Sequence, residues 1–173
     1  MERTIFHVDV NSAFLSWEAV YRMKHLGGRL DLRTVSSAVG GDVTRRHGII
    51  LAKSIPARAC GIKTGETVFS ALKKCPELVL VPPNYNLYQR SSDALIRLLK
   101  EYTPLVEQYS IDEAYMDMTE STALFGPPEV AAETIRERIL QELGFTVNIG
   151  VAQNKLLAKM ASDFKKPNRV HTL

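Results

Sequence analysis

The sequence predicts a mixed α+β fold, and three observations support this prediction. Short β-branched apolar runs, such as residues 4–10, are typical of buried strands. Other segments repeat apolar residues at helical spacing, as Phe14, Trp17 and Tyr21 do. The 173 residues are 45% hydrophobic and 24% charged, which suits one globular domain, alone or with a small inserted subdomain.

In the first half, Asn11 and Ser12 are predicted to cap the helix that follows the first strand, and Gly27-Gly28 end it. Gly40-Gly41 mark a turn after residues 35–39. Pro56 predicts a short helical turn, and another short helix follows Thr64-Gly65 and ends before Pro76. The predicted strands here are short apolar runs: residues 4–10, 49–54 and 78–81.

The second half is more regular. Three helices are predicted from caps, apolar stripes and breakers: one from Asn84 to Pro104, one from Pro127-Pro128 to Gly144, and one over residues 154–164. Strands are predicted over residues 106–110, 114–118 and 145–151, the first two separated only by residues 111–113.

From residue 78 onward the predicted order is β-α-β-β-α-β-α, and the first strand can join the same sheet. This order resembles a ferredoxin-like split β-α-β sheet with helices on one face. Residues 22–77 fit the repeat poorly and are interpreted as an inserted subdomain between residues 1–21 and 78–173.

Several classes of protein are disfavoured by composition. No run approaches the roughly 18 apolar residues of a membrane span, and Glu2, His7 and Asp9 interrupt any signal-peptide pattern. Cys60 and Cys75 form no CxxC pair, so we expect reduced thiols in a cytoplasmic protein. The histidines are scattered, which argues against a zinc site: His7, His25, His47 and His171.

The net charge of +3 is small, but its distribution is uneven. Basic residues dominate residues 43–74 (Arg45, Arg46, Lys53, Arg58, Lys63, Lys73, Lys74) and residues 153–169 (Lys155, Lys159, Lys165, Lys166, Arg169). Residues 106–122 lie between them and are acidic, with no Lys or Arg. This pattern suits a phosphate ligand held around metal ions, and also the solvated faces of ordinary helices and strands.

Three carboxylates form the central hypothesis. Asp9 ends an apolar strand, where a charge is costly unless paired, and Asp112 and Glu113 lie at a hairpin tip. Strands pair about 4.8 Å apart, so a hairpin beside the first strand would bring the three together. Divalent cations, Mg²⁺ above all, relieve such repulsion, and two ions support phosphoryl transfer. Alternatively, Asp9 caps the following helix and the hairpin acids are exposed turn residues.

Basic residues add a phosphate-binding hypothesis. Lys155 and Lys159 share one helix face, and Arg58 follows a strand and could bind a triphosphate with two hydrogen bonds. Each also fits an ordinary surface cation. No GxxxxGK[ST] segment is present, which excludes a P-loop. Phe14 lies on the apolar stripe of its helix and fits a core residue.

Four segments together resemble Y-family translesion DNA polymerases, the class of bacterial DNA polymerase IV: HVDVNSAF (7–14), RRHGIILAKSIPARACGIKTGE (45–66), SIDEAYMDM (110–118) and NIGVAQNKLLAKMASDFKKPN (148–168). The resemblance runs from Met1 to Leu173, in the family's order and spacing. It implies a polymerase palm in residues 1–21 and 78–173, with fingers in residues 22–77. The family's thumb and little-finger domains lie beyond Leu173, so we expect a part of a longer enzyme.

The resemblance implies a role for each carboxylate. Asp9 and Asp112 would bridge two Mg²⁺ ions, with the backbone carbonyl of Val10 as a further ligand. Glu113 would be the third carboxylate, near the primer 3′-hydroxyl.

The resemblance also implies a nucleotide site. Phe14 matches the aromatic gate that excludes a 2′-hydroxyl, and Arg58 and Lys159 match cations on the triphosphate. Ile55 stands where the family usually carries a tyrosine, so phosphate binding is expected to differ there.

The implied function is template-directed DNA synthesis in damage tolerance, with primer–template DNA and deoxynucleoside triphosphates as substrates. A sliding clamp is an implied partner, through the family's C-terminal region. We expect the piece alone to bind nucleotide weakly and extend primers poorly. Two other classes stay open: a nucleotidyl cyclase with the same palm, and a non-catalytic nucleic-acid-binding module.

Overall fold

The computed structural model describes residues 2–41 and 48–173, so Arg45, Arg46 and His47 lie outside the described residues. The helices are α1 (Ala13–His25), α2 (Ile55–Ala59), α3 (Val68–Lys74), α4 (Tyr85–Leu99), α5 (Thr122–Phe125), α6 (Pro128–Leu143) and α7 (Lys155–Ser162). The strands are β1 (Ile5–Val10), β2 (Ser37–Gly40), β3 (Ile50–Lys53), β4 (Val79–Val81), β5 (Val106–Gln108), β6 (Glu113–Asp117), β7 (Val147–Ala152) and β8 (Val170–Thr172). A 3₁₀ turn covers Leu32–Thr34.

The chain divides into two compact units, Met1–Asn11 with Gln89–Leu173, and Ser12–Tyr88. The first unit contains a five-stranded sheet in the order β5-β6-β1-β7-β8. β1 is antiparallel to both β6 and β7, and β8 is parallel to β7. β1 is the central strand, paired on both edges, and its apolar side chains are buried, from Ile5 to Val10.

Helix α7 lies unusually close to this sheet. Gly150 of β7 is opposite His7 of β1. A Cβ atom at Gly150 would lie 1.8 Å from the carbonyl oxygen of Ala158 and 2.5 Å from the backbone nitrogen of Ser162. Glycine at this position is therefore what allows α7 to pack against β1 and β7.

The second unit contains a three-stranded sheet in the order β3-β2-β4, with β2 antiparallel to β3 and parallel to β4. One of its cores contains small and branched apolar side chains: Ala38, Ile50, Ala57, Ile62, Val68, Ala71, Cys75 and Leu78. Ser54 caps α2 by accepting a hydrogen bond from the backbone N–H of Ala57 (3.1 Å).

Most predicted elements are confirmed, as is the α+β class. Asn84 and Asn154 accept capping hydrogen bonds from Leu87 N (3.1 Å) and Leu157 N (2.9 Å). Gly144 ends α6 with a φ of 84°. Ser12 occupies the N-cap of α1, but its side chain makes no capping hydrogen bond, so that prediction is wrong.

Placing the strand at residues 78–81 in the same sheet as β1 is also wrong. β4 pairs in parallel with β2, and β8, which was not predicted, lies beside β7 instead. Along the chain, the boundaries between the two units fall at residues 11/12 and 88/89, whereas the predicted subdomain spans residues 22–77. Helix α1 belongs to the second unit because it packs against β2, β3 and the 3₁₀ turn. The assignment of palm and fingers stays a prediction.

Two further expectations concern thiols and membranes. Cys60 and Cys75 are both free thiols, as expected. Within the described parts of the chain, no helix is long and apolar enough to cross a membrane.

Candidate functional site

Strand pairing brings the three acidic residues to one end of the central strand. Asp9 of β1 is directly opposite Glu113 of β6. The backbone N–H of Val10 donates to the carbonyl oxygen of Asp112 at 3.0 Å. Directly opposite residues of an antiparallel pair point to the same face of the sheet, so the carboxylates of Asp9 and Glu113 are neighbours.

The Asp9 carboxylate is largely buried, with 14% of its side chain exposed. Burial raises the pKa of Asp9, and the negative charges of Glu113 and Asp112 raise it further. A hydrogen-bonded ion pair with Lys166 opposes this shift. Lys166 also lies 3.0 Å from the carboxylate of Asp163. Negative charge is thus concentrated around Asp9, and the ammonium group of Lys166 offsets part of it.

Glu113 has three polar neighbours besides Asp9. Its Oε1 atom pairs with the ammonium of Lys159 and lies 3.2 Å from His7 Nε2, and its Oε2 atom accepts from Ser110 Oγ at 3.3 Å. Burial favours the neutral acid, but the hydrogen bond and charge of Lys159, with a contribution from His7, outweigh it. The pKa of Glu113 is therefore lowered, and the carboxylate stays ionised.

Ser110 connects the two hairpin acids. Its hydroxyl lies 2.8 Å from Asp112 Oδ1 as well as 3.3 Å from Glu113 Oε2. One hydroxyl has a single hydrogen, which the two carboxylates must share, and the shorter distance favours donation to Asp112.

His7 lies beneath Glu113 and is 1% exposed. Its Nδ1 atom is 2.7 Å from Ser162 Oγ, and its ring lies 4.8 Å from that of Tyr115. Burial lowers the pKa of His7 to about 4, although the charge of Glu113 acts in the opposite direction. The imidazole is therefore neutral at pH 7.

Asn148 fixes the end of α7 next to these groups. It is fully buried in β7, opposite Asp9. Its amide nitrogen donates to the carbonyl oxygens of Ser162 (2.9 Å) and Phe164 (3.2 Å), and its oxygen accepts from Arg169 N (3.2 Å). The segment that carries Lys166 is thereby tied to the strand that pairs with β1.

The two lysines predicted to act together have different partners. Lys159 pairs with Glu113 and lies 4.8 Å above the ring of Tyr109. Lys155 pairs with Glu107 and lies 5.3 Å above the ring of Tyr115. Both ammonium groups are thus already engaged, one of them on the predicted site.

A divalent cation fits the chemistry of the donors, although the cluster is not arranged as a cage. Among residues 2–41 and 48–173, no group of three or more His, Cys, Asp or Glu side chains could hold a metal ion as it stands. Lys166 and Lys159 instead lie on Asp9 and Glu113. Carboxylate oxygens are the ligands that Mg²⁺ prefers, and the buried carboxylate of Asp9 lies beside the negative charges of Glu113 and Asp112, which such an ion would offset. The residues therefore fit a hard cation once the ammonium groups move away.

Phe14 and Arg58 belong to the other unit, Ser12–Tyr88. The ring of Phe14 is half-buried and stacks on Tyr88, with 4.3 Å between centroids and 11° between planes. The Tyr88 hydroxyl donates to the buried carboxylate of Glu18 at 2.9 Å. Burial and this carboxylate raise the pKa of Tyr88, which keeps the hydroxyl protonated. Phe14 therefore stacks on a tyrosine ring that is held by a hydrogen bond, and its own ring remains partly exposed.

Arg58 is exposed on α2, and Ile55 at the start of that helix is 61% exposed. The guanidinium of Arg58 is thus placed to meet a ligand from solvent.

The sequence and fold of known proteins place the chain in a family. The model of the impB/mucB/samB family matches residues 8–163. The chain belongs to this family. It is 51% identical over 173 residues to DNA polymerase IV of Clostridium acetobutylicum, covering 100% of this chain and 43% of that protein. It is 48% identical over 165 residues to DNA polymerase IV 1 of Halalkalibacterium halodurans, covering 95% of this chain and 38% of that protein.

Solved structures agree with this assignment. A Y-family DNA polymerase chimera superposes with a TM-score of 0.86 at 29% identity, covering 98% of this chain and 48% of the other. DinB from Sulfolobus solfataricus superposes with a TM-score of 0.85 at 29% identity, with the same coverage of 98% and 48%. The predicted resemblance to Y-family polymerases is confirmed. This chain spans less than half the length of these relatives.

Sequence reasoning missed four residues that the structure places at the carboxylates: His7, Asn148, Ser162 and Lys166. His7 and Asn148 lie inside apolar strand runs, where a polar residue that must be buried is itself a signal. In the sequence, Lys166 stands out only as part of a basic zone. The partner of Ser162 is far away in the sequence, so no local pattern could identify it.

Proposed function

We propose that this chain is the metal-binding and nucleotide-binding part of a template-directed DNA polymerase. The polymerase would add deoxynucleotides to a primer 3′-hydroxyl during DNA damage tolerance. The observation that carries the proposal is the register of β1 and β6, which places Asp9 beside Glu113 and next to Asp112 in a member of this family.

Asp9 and Asp112, with the backbone carbonyl of Val10, would hold two Mg²⁺ ions. When bound, such ions lower the pKa of an attacking hydroxyl and neutralise the departing pyrophosphate. Glu113 would lie near the primer 3′-hydroxyl. Its lowered pKa keeps it ionised, so that it can accept a hydrogen bond from that hydroxyl.

Arg58 and Lys159 would bind the triphosphate, and Lys166 is a further candidate because it already lies on Asp9. The two lysines would exchange a carboxylate for a phosphate when metal and nucleotide arrive together. Phe14, held flat on Tyr88, would exclude a 2′-hydroxyl and so select deoxynucleotides.

Primer–template DNA and a deoxynucleoside triphosphate would be the substrates. The palm would comprise residues 1–21 and 78–173 and the fingers residues 22–77. Thumb and little-finger domains of the longer enzyme would grip the duplex, and a sliding clamp would bind its C-terminal region. The setting would be the cytoplasm.

An NMR titration tests the proposal without those domains. The ¹⁵N-labelled chain is titrated with dATP and then ATP, each with and without Mg²⁺. We expect Mg²⁺-dependent shifts around Asp9, Phe14 and Arg58 that are stronger for dATP. Asp112→Ala should abolish them, whereas the exposed control Asp93→Ala should not.

Equal responses to dATP and ATP would refute the selectivity assigned to Phe14. A response that survives Asp112→Ala would refute the metal site. Cyclic product formed from ATP without a primer would identify a nucleotidyl cyclase instead.

A further inference from the structure

We propose that Cys60 and Cys75 form an oxidisable dithiol, a modification site at which a hydroperoxide converts the two thiols into a disulfide bond. Both cysteines are free thiols in the reduced chain. Each directly follows a short helix of the unit Ser12–Tyr88, Cys60 after α2 and Cys75 after α3. Neither residue belongs to the proposed polymerase site, so the inference does not rest on that function.

Several contacts bring the two helix ends together. The hydroxyl oxygen of Ser36 lies 3.8 Å from the sulfur of Cys60. The Cys75 thiol has hydrogen-bond interactions with this same hydroxyl and with Cys60. One residue further along each segment, the ammonium group of Lys74 donates to the carbonyl oxygen of Gly61 at 3.1 Å. The two sulfur atoms therefore lie around one hydroxyl group as neighbours.

The packing of the second unit holds this arrangement in place. Ala57 of α2 and Cys75 are buried in the same apolar core. The backbone N–H of Cys60 donates to the carbonyl oxygen of Ala57 at 3.1 Å. On the other side, the backbone N–H of Val79 donates to the carbonyl oxygen of Ser36 at 3.0 Å. The backbone that carries each thiol is thus fixed to one core, and the fold itself keeps the thiols close together.

The two thiols differ in exposure, and this difference sets the order in which they react. Cys60 is exposed, whereas Cys75 is 1% exposed. Burial raises the pKa of the Cys75 thiol, and a hydrogen bond with Glu77 acts in the same direction. The thiolate is the reactive form, and a hydroperoxide arrives from solvent, so Cys60 reacts first and Cys75 second.

Hydrogen peroxide is the oxidant in the first step. The Cys60 thiolate attacks one peroxide oxygen and the O–O bond breaks, which leaves a sulfenic acid on Cys60 and releases hydroxide. The Cys75 sulfur then attacks the Cys60 sulfur, and the S–S bond forms. The proton of Cys75 leaves with the sulfenic hydroxyl group as water. In total, the two thiols lose two electrons and two hydrogens, and one peroxide is reduced to two water molecules.

The bond would join the end of α2 to the end of α3 and close the segment between the two cysteines into a ring. Arg58 also lies on α2, so the helix that carries this cation would be fixed at its end. A thiol reductant would reverse the step by thiol–disulfide exchange. Such reversible bonds are the kind of disulfide found in reducing compartments.

Peptide mapping by mass spectrometry tests the site directly. The reduced chain is treated with hydrogen peroxide at neutral pH, blocked with an alkylating reagent and digested without reductant. We expect a linked pair of peptides that contain Cys60 and Cys75, a loss of two hydrogen masses from the intact chain, and full reversal by dithiothreitol. Absence of the linked pair, or disulfides formed only between two chains, would overturn the inference.

Two single variants test the order of reaction. Cys75→Ala removes the second thiol, so Cys60 should stop at the sulfenic acid and be captured by dimedone, whereas the wild type should show little capture. Equal capture in both chains would overturn the role of Cys75. Cys60→Ser should leave Cys75 unreacted at the same peroxide concentration, and oxidation of Cys75 at the wild-type rate would contradict the assigned order. Position 60 is exposed, so this variant keeps the test decisive even if Cys75→Ala does not fold.

Discussion

Gly150→Ala tests whether the approach of α7 to the sheet builds the site. The new Cβ atom would lie 1.8 Å from the carbonyl oxygen of Ala158, whereas ordinary van der Waals contact begins near 3.4 Å. Relief therefore requires about 1.6 Å of separation (3.4 − 1.8) between α7 and β7. The obstructing atoms are backbone, so no side-chain rotation can absorb the shift. The hydrogen bond between Ser162 and His7 would be broken by such a movement.

Overpacking of a tight core costs about 1–3 kcal/mol, and a backbone clash of this size should reach at least the upper end. At roughly 2–4 °C per kcal/mol, the melting temperature should fall by about 6–12 °C. Thermal unfolding followed by circular dichroism measures the loss, and NMR should show altered His7 ring signals. Gly150 lies in a strand, where alanine without a clash would stabilise by about 0.5–1 kcal/mol. An unchanged or raised melting temperature would therefore refute the close-approach argument.

Two further changes probe charge. Lys166→Met should destabilise the metal-free chain by about 1 kcal/mol, because the pair with Asp9 is only partly shielded from water. It should also lower the Mg²⁺ concentration that restores thermal stability. Lys165→Met, at an exposed neighbouring position, is the control, and an unchanged Mg²⁺ midpoint in Lys166→Met would contradict the prediction. Glu66 has a lowered pKa, chiefly through its hydrogen bond from Lys74, so its stabilisation is present above its ordinary pKa of 4.5 and is lost as pH falls through the lower folded-state value. Melting temperatures between pH 6 and 3 should consequently fall less steeply for Glu66→Gln than for the wild type.

Local patterns predicted the individual elements well. The β-branched run of β1, the asparagine caps of α4 and α7, and Gly144 at the end of α6 each act within a few residues. The sheet to which a strand belongs depends on distant partners. The short apolar run of β4 fits either sheet, and only its pairing with β2 decides between them.

The candidate site also contains residues that local sequence identifies and contacts that it does not. Asp9, Asp112 and Glu113 could be identified from the sequence, because a carboxylate at the end of an apolar strand is costly unless it is paired and two more lie together at a hairpin tip. The pairing of Lys166 with Asp9 spans 157 residues of sequence, and the contact of Ser162 with His7 spans 155. These contacts exist only after β1 lies between β6 and β7 and α7 packs at Gly150. No local pattern encodes that combination.

Paramagnetic broadening by Mn²⁺ is the most direct measurement of the central claim, that the β1–β6 carboxylates form a divalent-cation site. Mn²⁺ added in small amounts to the ¹⁵N-labelled chain should broaden the amide signals of Asp9, Val10, Asp112 and Glu113 first, and excess Mg²⁺ should restore them. Asp112→Ala should weaken the effect. Broadening that begins at other acidic residues, or that Mg²⁺ does not reverse, would contradict the account.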